Sequence, residues 1–578
     1  MAKLSLLRSC SRNLLLPPLL FSVSGQRFRL LQSTATMMLN DARIVRSPFP
    51  DISIPDNISF HNYIYRRFQQ YGDRTAIVDG LTGRAYSFRQ LDSLTNNIAS
   101  ALIRRGLQKG DVVCLFLPNL PEYPLALFGS LVAGGTVTTA NPVYNERELT
   151  HQLKDANAKF LVTTSQFADL AGEAARRSGT VDEIFVIGNS RSDVPAGCTG
   201  FGELMNDDGT ALPSSLTILP KKDVAVLPYS SGTTGLSKGV MLSHYNLVSN
   251  VCQVASSTLL LKARTEDKVA LAVLPFFHIY GLVVILSRDL EQGTKIVTLP
   301  KFEPEHFLKQ LEVNAITRAL IAPPVVLFMA KHPMVDSYDL SSLTDIFSGA
   351  APLSGEITEA LRNRLGIEVI RQGYGLTETS PVTHLSPIEG WKPGSIGFPL
   401  PNTESKVVDI ESGSRAVGVN ETGQLCVRGP QVMMGYLNNP TATRDCIDED
   451  NWFHTGDIGH YDSDFHFYVT DRLKELIKVK GFQVAPAELE ALLIEHADIT
   501  DAAVIGVPDE RAGEVPRAFV VPREGSDLST ESVVNYVKSL VADYKELKGG
   551  VKFIDVIPKS ASGKILRRVL RDEETHEK

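Results

Sequence analysis

Cysteine is scarce in this chain: Cys10, Cys114, Cys198, Cys252, Cys426 and Cys446 are the only six among 578 residues, and none form a Cys-x-x-Cys pair. This excludes a zinc knuckle, a dithiol redox motif and a disulfide framework, and it fits a reducing compartment. Long apolar runs are missing too. The one candidate, Leu14 to Phe21, is interrupted by Pro17 and Pro18, and it falls short of the roughly 20 residues a membrane-crossing helix needs. An excess of positive charge is also absent, since 58 Lys plus Arg face 66 Asp plus Glu for a net charge of −8. Nucleic-acid binding needs a basic face and is excluded on that ground, whereas a nucleotide as small substrate is not. The remaining composition, 43% hydrophobic and 21% charged, is enough to bury a sizeable core. With compact domains of roughly 100 to 200 residues, there is room for one large domain and a smaller partner.

Acidic residues are missing altogether from Met1 to Asn40, while Lys3, Arg8, Arg12, Arg27 and Arg29 are spaced among Leu, Phe and Ser. That composition predicts a mitochondrial transit peptide over residues 1–40. A secretory signal is the competitor, yet its apolar region should be unbroken, and Ser22-Val23-Ser24-Gly25 matches a cleavage site only loosely. A plain tail on a cytoplasmic protein, or a start at Met37 or Met38, is the other alternative. The terminal Thr575-His576-Glu577-Lys578 is not the Ser-Lys-Leu peroxisomal address.

Beyond this leader, helix-period and strand-like segments alternate as in an α/β protein. Ser87 and Gln90 form a capping box ahead of Leu91, Leu94, Ile98 and Leu102 on one helical face, and Gly106 closes the helix. Val112 to Leu117 reads as a buried strand stopped by Pro118, with similar runs at 159–163, 183–187, 224–227 and 269–274. After Asp471-Arg472-Leu473-Lys474 the rhythm changes, predicting a helix over 487–493, strands over 502–507 and 517–521, and a helix over 530–540. The chain therefore divides into a large part, 45–471, and a small one, 472–572.

A phosphate cradle follows the apolar run 224–227. Tyr229-Ser230-Ser231-Gly232-Thr233-Thr234-Gly235-Leu236-Ser237-Lys238-Gly239-Val240 offers backbone N–H groups free to turn inward, hydroxyl donors and one cation. It is not a P-loop, because Ser237 stands five places after Gly232 and Gly239 follows Lys238. Kinase or GTPase chemistry is therefore unsupported. The plain alternative is a Gly/Ser turn with an exposed lysine, but ordering so many small residues without a ligand is costly.

Five segments together carry a resemblance: the cradle, Tyr374-Gly375-Leu376-Thr377-Glu378, Thr455-Gly456-Asp457, the run from Asp471 to Val484, and Pro558-Lys559-Ser560-Ala561-Ser562-Gly563-Lys564. In this order they resemble the acyl-adenylate-forming superfamily, most closely the 4-coumarate:CoA ligase group and its relatives, the acyl-CoA synthetases and firefly luciferase. The resemblance implies a large N-terminal AMP-binding domain of layered α/β subdomains and a small, mobile C-terminal α+β domain. It implies a ligase that uses ATP, Mg²⁺ and CoA, turning a carboxylic acid into acyl-AMP and then into the acyl-CoA thioester, as a monomer or homodimer.

Position by position, the resemblance implies that Ser230, Ser231, Gly232, Thr233, Thr234, Gly235 and Lys238 hold the leaving pyrophosphate. Ala350, Gln372, Gly373, Tyr374 and Thr377 would line the AMP site, with the Tyr374 ring against adenine, and Glu378 would ligate Mg²⁺. Asp457 and Arg472 map onto ribose contacts, with a structural ion pair as the alternative. Lys564 would bridge the substrate carboxylate and the α-phosphate. Lys478, Lys480, Gly481 and Gln483 match the thioester-forming segment, whose plain alternative is a solvated edge, and Lys474 matches the hinge of the small domain. Lys480, Gly481 and Lys301 would contact CoA. His278 is open to three readings: a base, a packed core residue, or a gate between acyl pocket and CoA channel.

The acyl pocket is implied at Tyr280, Val284, Gly349, Gly373, Leu385, Lys474 and Lys478, and here the pattern departs. Val284 stands where the plant hydroxycinnamate enzymes carry a pocket serine, and Leu385 where they carry a methionine. An aryl acid or a medium-chain fatty acid fits such an apolar wall equally well. Asp543 replaces a common proline in a segment expected at the surface. A luciferase-like oxygenase shares the adenylation half and is the alternative activity. A catalytically dead nucleotide-binding protein would have lost charges, yet Lys238, Glu378, Asp457, Arg472, Lys478 and Lys564 are all present.

Overall fold

The structure is a computed structural model describing residues 43–188, 191–213, 216–230, 237–257, 268–351, 353–367, 370–388, 390–480, 482–560 and 563–576. The expected leader, Ser231, Gly232, Thr233, Thr234, Gly235 and Gly481 lie outside the described residues.

Two large sheets form the bulk of the N-terminal part. One has eight strands, in the order Gly435–Tyr436, Lys238–Ser243, Val224–Ser230, Thr136–Ala140, Val112–Phe116, Ala158–Thr164, Glu183–Ile187 and Thr199–Gly200, parallel from Val224–Ser230 onward. The other has nine strands and a parallel centre running from Ile370–Gly375 through Asp345–Ser348, Arg318–Ile321, Val269–Ala272 and Lys295–Thr298 to Thr75–Asp79. Both faces of these parallel strands are covered, which is why Val112–Phe116 is apolar at every position.

The largest core lies between the two sheets and is filled by the helices Phe60–Tyr65, Phe88–Arg104, Tyr123–Val132 and His244–Ser257 and by the π-helical turn Tyr280–Ser287. Outer helices cover the far faces, Glu146–Asp155 and Ala168–Ser178 on one sheet, Pro304–Val313, Pro323–Lys331 and Gly355–Leu365 on the other. The expected capping box is present, with the Ser87 N–H donating to Gln90 Oε1 at 2.8 Å and the Gln90 N–H to Ser87 Oγ at 3.2 Å. The helix it starts packs on Tyr123–Val132 at Gly129, where a Cβ would come within 2.6 Å of Ile98 Cγ2.

A third, antiparallel sheet is built from Val45–Arg46, Glu404–Val408, Gly423–Arg428, Phe453–Tyr461 and Phe467–Arg472. Its last strand ends at the expected domain boundary. Beyond it, Ile477–Val479, Phe482–Val484, Ile499–Asp509, Gly513–Pro522 and Val551–Phe553 form a small sheet packed with the helices Pro486–Glu495 and Thr530–Leu540 around a separate core. The final helix, Arg567–His576, carries structure past residue 572. Among the described residues, no helix is long and apolar enough to cross a membrane.

Candidate active site

Carboxyl ends of parallel strands open crevices for ligands, and two of them build this one. Asp345–Ser348 runs into Gly349 and Ala350, the latter at φ +77°, and Ile370–Gly375 runs into the short turn Thr377–Thr379. Two glycines let these chains approach the wall. A Cβ at Gly373 would lie 2.2 Å from Phe347 Cζ, and one at Gly349 would lie 3.2 Å from Tyr280 Cε1.

Glu378 is buried in that turn, and its Oε1 accepts a hydrogen bond from the Tyr436 hydroxyl at 2.9 Å. Lys238 Nζ lies 4.1 Å from the centroid of the same ring. Tyr436 thus joins the cradle lysine to the buried carboxylate. Lys238 pairs with Ser230 across the hairpin that carries the cradle, and Tyr229 anchors the hairpin by donating from its hydroxyl to Asp155 Oδ2 at 2.7 Å.

Of the two readings of Asp457 and Arg472, the ion pair is the one the described residues display. They face each other on antiparallel strands, with Arg472 Nε 3.2 Å from Asp457 Oδ1, so the ion pair exists. The Tyr374 hydroxyl donates to Asp457 Oδ2 at 2.6 Å, so the ring expected against adenine is tied to the carboxylate expected at the ribose.

Lys564 arrives from the other domain. Its turn is closed by the Ser560 N–H donating to Lys564 O at 2.8 Å and by the Lys564 N–H donating to Ser560 Oγ at 3.1 Å. Gly563, at φ +82°, meets the large domain, and a Cβ there would lie 3.2 Å from Pro324 Cδ. The ammonium lies among Arg472, Asp457 and Glu378. Burial and then the Arg472 charge push its pKa down to about 8, against the pull of the two carboxylates. His278 faces it. Burial, reinforced by the Lys564 charge, lowers the imidazole to about 3 and keeps it neutral, and its Nδ1 accepts from the Tyr280 N–H at 3.3 Å, leaving the ring proton on Nε2. A neutral ring of that pKa is a poor proton acceptor, which weighs against the base reading.

The thioester set is not brought to this point. Lys474, Lys478, Lys480 and Gln483 are exposed on the small domain, where the Lys478 N–H donates to Glu514 Oε2 at 2.9 Å. Lys301 is exposed and paired with Glu303 at 2.6 Å. Around the expected hinge, the Leu473 N–H donates to Gly456 O at 2.8 Å, while the Glu475 N–H turns back to Arg472 O at 2.9 Å, so Lys474 follows the last strand of the third sheet.

The implied acyl positions Tyr280, Val284 and Leu385 are buried, Leu385 pairs with Gly373 across neighbouring strands, and the Tyr280 hydroxyl has no hydrogen-bond partner among the described residues. Sequence reasoning missed Tyr436, which belongs to no motif. It also missed the buried ion network near Tyr280, in which Arg288 and Arg318 each reach Asp289 Oδ1 at 2.6 Å.

Comparisons with known proteins identify the family. Residues 64–437 match the AMP-binding enzyme family, and residues 488–564 match the AMP-binding enzyme C-terminal domain. The chain is 42% identical over 535 residues to 4-coumarate–CoA ligase 1 of Petroselinum crispum, covering 91% of this chain and 96% of that protein. It is 40% identical over 538 residues to a probable 4-coumarate–CoA ligase 1 of Dictyostelium discoideum, covering 91% and 97%. ATP-bound MatB from Rhodopseudomonas palustris matches with a TM-score of 0.79 at 28% identity, over 89% of this chain and 99% of that one. The anthranilate CoA ligase AuaEII, in complex with anthranoyl-AMP, matches with a TM-score of 0.81 at 25% identity, over 90% and 98%. The chain belongs to the AMP-binding enzyme family. Within it, this is an ATP-using, adenylate-forming acid–thiol ligase of the 4-coumarate–CoA ligase kind.

Proposed function

We propose that the enzyme joins an aryl or medium-chain carboxylic acid to CoA with Mg²⁺ as the metal, and that its parts divide the work between two positions of the small domain. The observation that carries this reading is Lys564, delivered from the small domain into the charges of Glu378, Asp457 and Arg472 in the large one. In the first step a carboxylate oxygen bonds to the α-phosphorus of ATP as the bond to pyrophosphate breaks. Both partners are anions, so the protein must cancel charge and hold them in line. Lys564 bridges the acid and the α-phosphate, while Lys238 and the cradle take the leaving pyrophosphate. Asp457, fixed by Tyr374 and Arg472, accepts from the ribose hydroxyls. Glu378 offers a buried carboxylate with one oxygen already oriented by Tyr436, a donor type suited to Mg²⁺. Bound there, Mg²⁺ would supply neutralising charge on the phosphate oxygens.

In the second step the CoA sulfur bonds to the acyl carbon, the bond to AMP breaks, and the thiol proton passes to the phosphate or solvent. For this the small domain swings about Lys474, withdrawing Lys564 and bringing in Lys478 and Gln483, with Lys480 and Lys301 on CoA. His278, neutral beside the acyl pocket, acts as the gate. The acid sits against Tyr280, Val284, Gly349 and Leu385. An aryl acid with a polar substituent is favoured by the unpartnered Tyr280 hydroxyl and by the anthranoyl-AMP bound to AuaEII. We further propose that residues 1–40 direct the enzyme to mitochondria, on their acid-free, arginine-bearing composition. A pyrophosphate-release screen across cinnamates, benzoates and fatty acids tests the substrate. Turnover confined to short or strongly polar aliphatic acids would contradict the assignment.

A further inference from the structure

Helix His244–Ser257 helps fill the core between the two large sheets, yet it carries a row of amides. Asn246, Asn250 and Gln253 stand four and then three residues apart, so they share one side of the helix, and all three are buried. Burying an amide is costly unless its polar atoms are bonded, so the partners of this row show what it is for. They are groups of segments far away in sequence. Asn250 pairs with both backbone polar groups of Val382, accepting from its N–H at 3.1 Å and donating to its O at 2.7 Å. Asn246 donates to Pro430 O at 2.8 Å and to Val432 O at 2.9 Å, and its Oδ1 accepts from the Ser243 N–H at 2.9 Å, where the strand Lys238–Ser243 of the cradle hairpin ends. Gln253 donates to Pro401 O at 2.8 Å and to Gln431 Oε1 at 3.1 Å.

The segments held in this way meet at Glu378. Val382 leaves the turn that carries Glu378, a turn closed by the Leu376 N–H donating to Pro381 O at 3.1 Å. Val432 precedes Met433, whose N–H donates to Glu378 O at 2.8 Å, and four residues further on the Tyr436 hydroxyl donates to Glu378 Oε1. We propose that Asn246 and Asn250 are positioning residues for adenylation, which from one helix face hold the Glu378 turn, the Tyr436 arm and the cradle hairpin in a fixed mutual arrangement. The proposal rests on the reading that Glu378 is the Mg²⁺ ligand. Both amides act through the backbone they hold. An apolar side chain could fill the same space, but it could not replace bonds to three separate segments, and a shift of about 1 Å in a group that meets the reacting atoms can cost on the order of 10²-fold in rate.

The test measures binding of α,β-methylene-ATP, which cannot release pyrophosphate, to the full-length enzyme by calorimetry, once with Mg²⁺ and once with EDTA. Wild type should bind more tightly with Mg²⁺. Asn250→Ala and Asn246→Ala are each expected to lose about tenfold of that Mg²⁺-dependent gain while binding in EDTA stays level. Gln152→Ala removes buried amide bonds to Thr138 Oγ1 and Thr139 O under an outer helix of the eight-stranded sheet, so it reports lost stability alone and should keep the gain. In acyl-AMP formation, Asn246→Ala should cost much less in a Tyr436→Phe background than in wild type, because both act on Glu378. A gain undiminished in both asparagine variants, an equal loss in Gln152→Ala, or full additivity of Asn246→Ala with Tyr436→Phe overturns the proposal. Glu378→Gln that keeps the Mg²⁺-dependent gain overturns the metal reading and the proposal with it, whereas Glu378→Gln that loses the gain while the asparagine variants keep it overturns the proposal alone.

Discussion

Asp457 and Arg472 stand directly opposite each other on the last two strands of the large domain, Arg472 Nε 3.2 Å from Asp457 Oδ1, one residue before the chain turns toward the hinge. On the proposed reading, the pair ties the nucleotide site to the point where the small domain departs. Asp457→Ala would leave the Tyr374 hydroxyl and the Arg472 guanidinium without their shared acceptor. The KM for ATP should rise about 10- to 100-fold, as expected for lost charge-assisted hydrogen bonds. Steady-state kinetics with varied ATP measures it, and an unchanged KM would refute the ribose assignment.

Tyr436→Phe removes the hydroxyl that orients Glu378 while keeping the ring under Lys238. A hydrogen bond to a charged group contributes about 1.5–3 kcal/mol, so acyl-AMP formation should slow about 10- to 100-fold. The Mg²⁺ concentration for half-maximal rate should rise as well. A slower rate with an unaltered Mg²⁺ requirement would detach Glu378 from the metal.

The pH dependence follows from Lys564. In the proposed role it bridges two anions only when protonated, and in the free enzyme its pKa is lowered to about 8 from the usual 10.5. The adenylation kcat/KM for ATP should thus hold level below pH 8 and fall as pH rises through that value. Arg472→Ala removes the neighbouring cation and should move the falling limb to higher pH. A limb that stays in place would mean another group sets it.

Lys478→Ala separates the half-reactions. With Lys478 exposed on the small domain while Lys564 is engaged, the variant should form acyl-AMP at near wild-type rate and lose thioester formation more heavily. Equal loss in both half-reactions would contradict the division of labour.

Residues 1–40, fused to a fluorescent protein, should carry it into mitochondria. Diffuse cytosolic fluorescence would rule out the leader.

Local signals made much of the fold legible. The capping box at Ser87 and Gln90, the apolar run at Val112 and the helix Thr530–Leu540 lie where short-range rules put them, because each depends on neighbours within a turn or a strand. The charged site residues were legible for another reason: they sit in motifs dense enough to resemble a family. What stayed hidden depends on contacts between distant segments. Tyr436 acquires its role only when its strand pairs with Lys238–Ser243, and no residue beside it signals that. The ion pair of Asp457 needed the strand register, which sets it opposite Arg472. Burial of Lys564 requires the small domain to dock, a contact made through Gly563 and Pro324 across more than two hundred residues of sequence.

The most direct test is acyl-AMP formation by wild type and Lys564→Ala, followed as pyrophosphate release in the absence of any thiol. The account predicts release by wild type with at least one aryl or medium-chain acid, and a loss on the order of 10²–10³ in Lys564→Ala, as for other groups aimed at transition-state charge. Comparable pyrophosphate release from the two enzymes would contradict it.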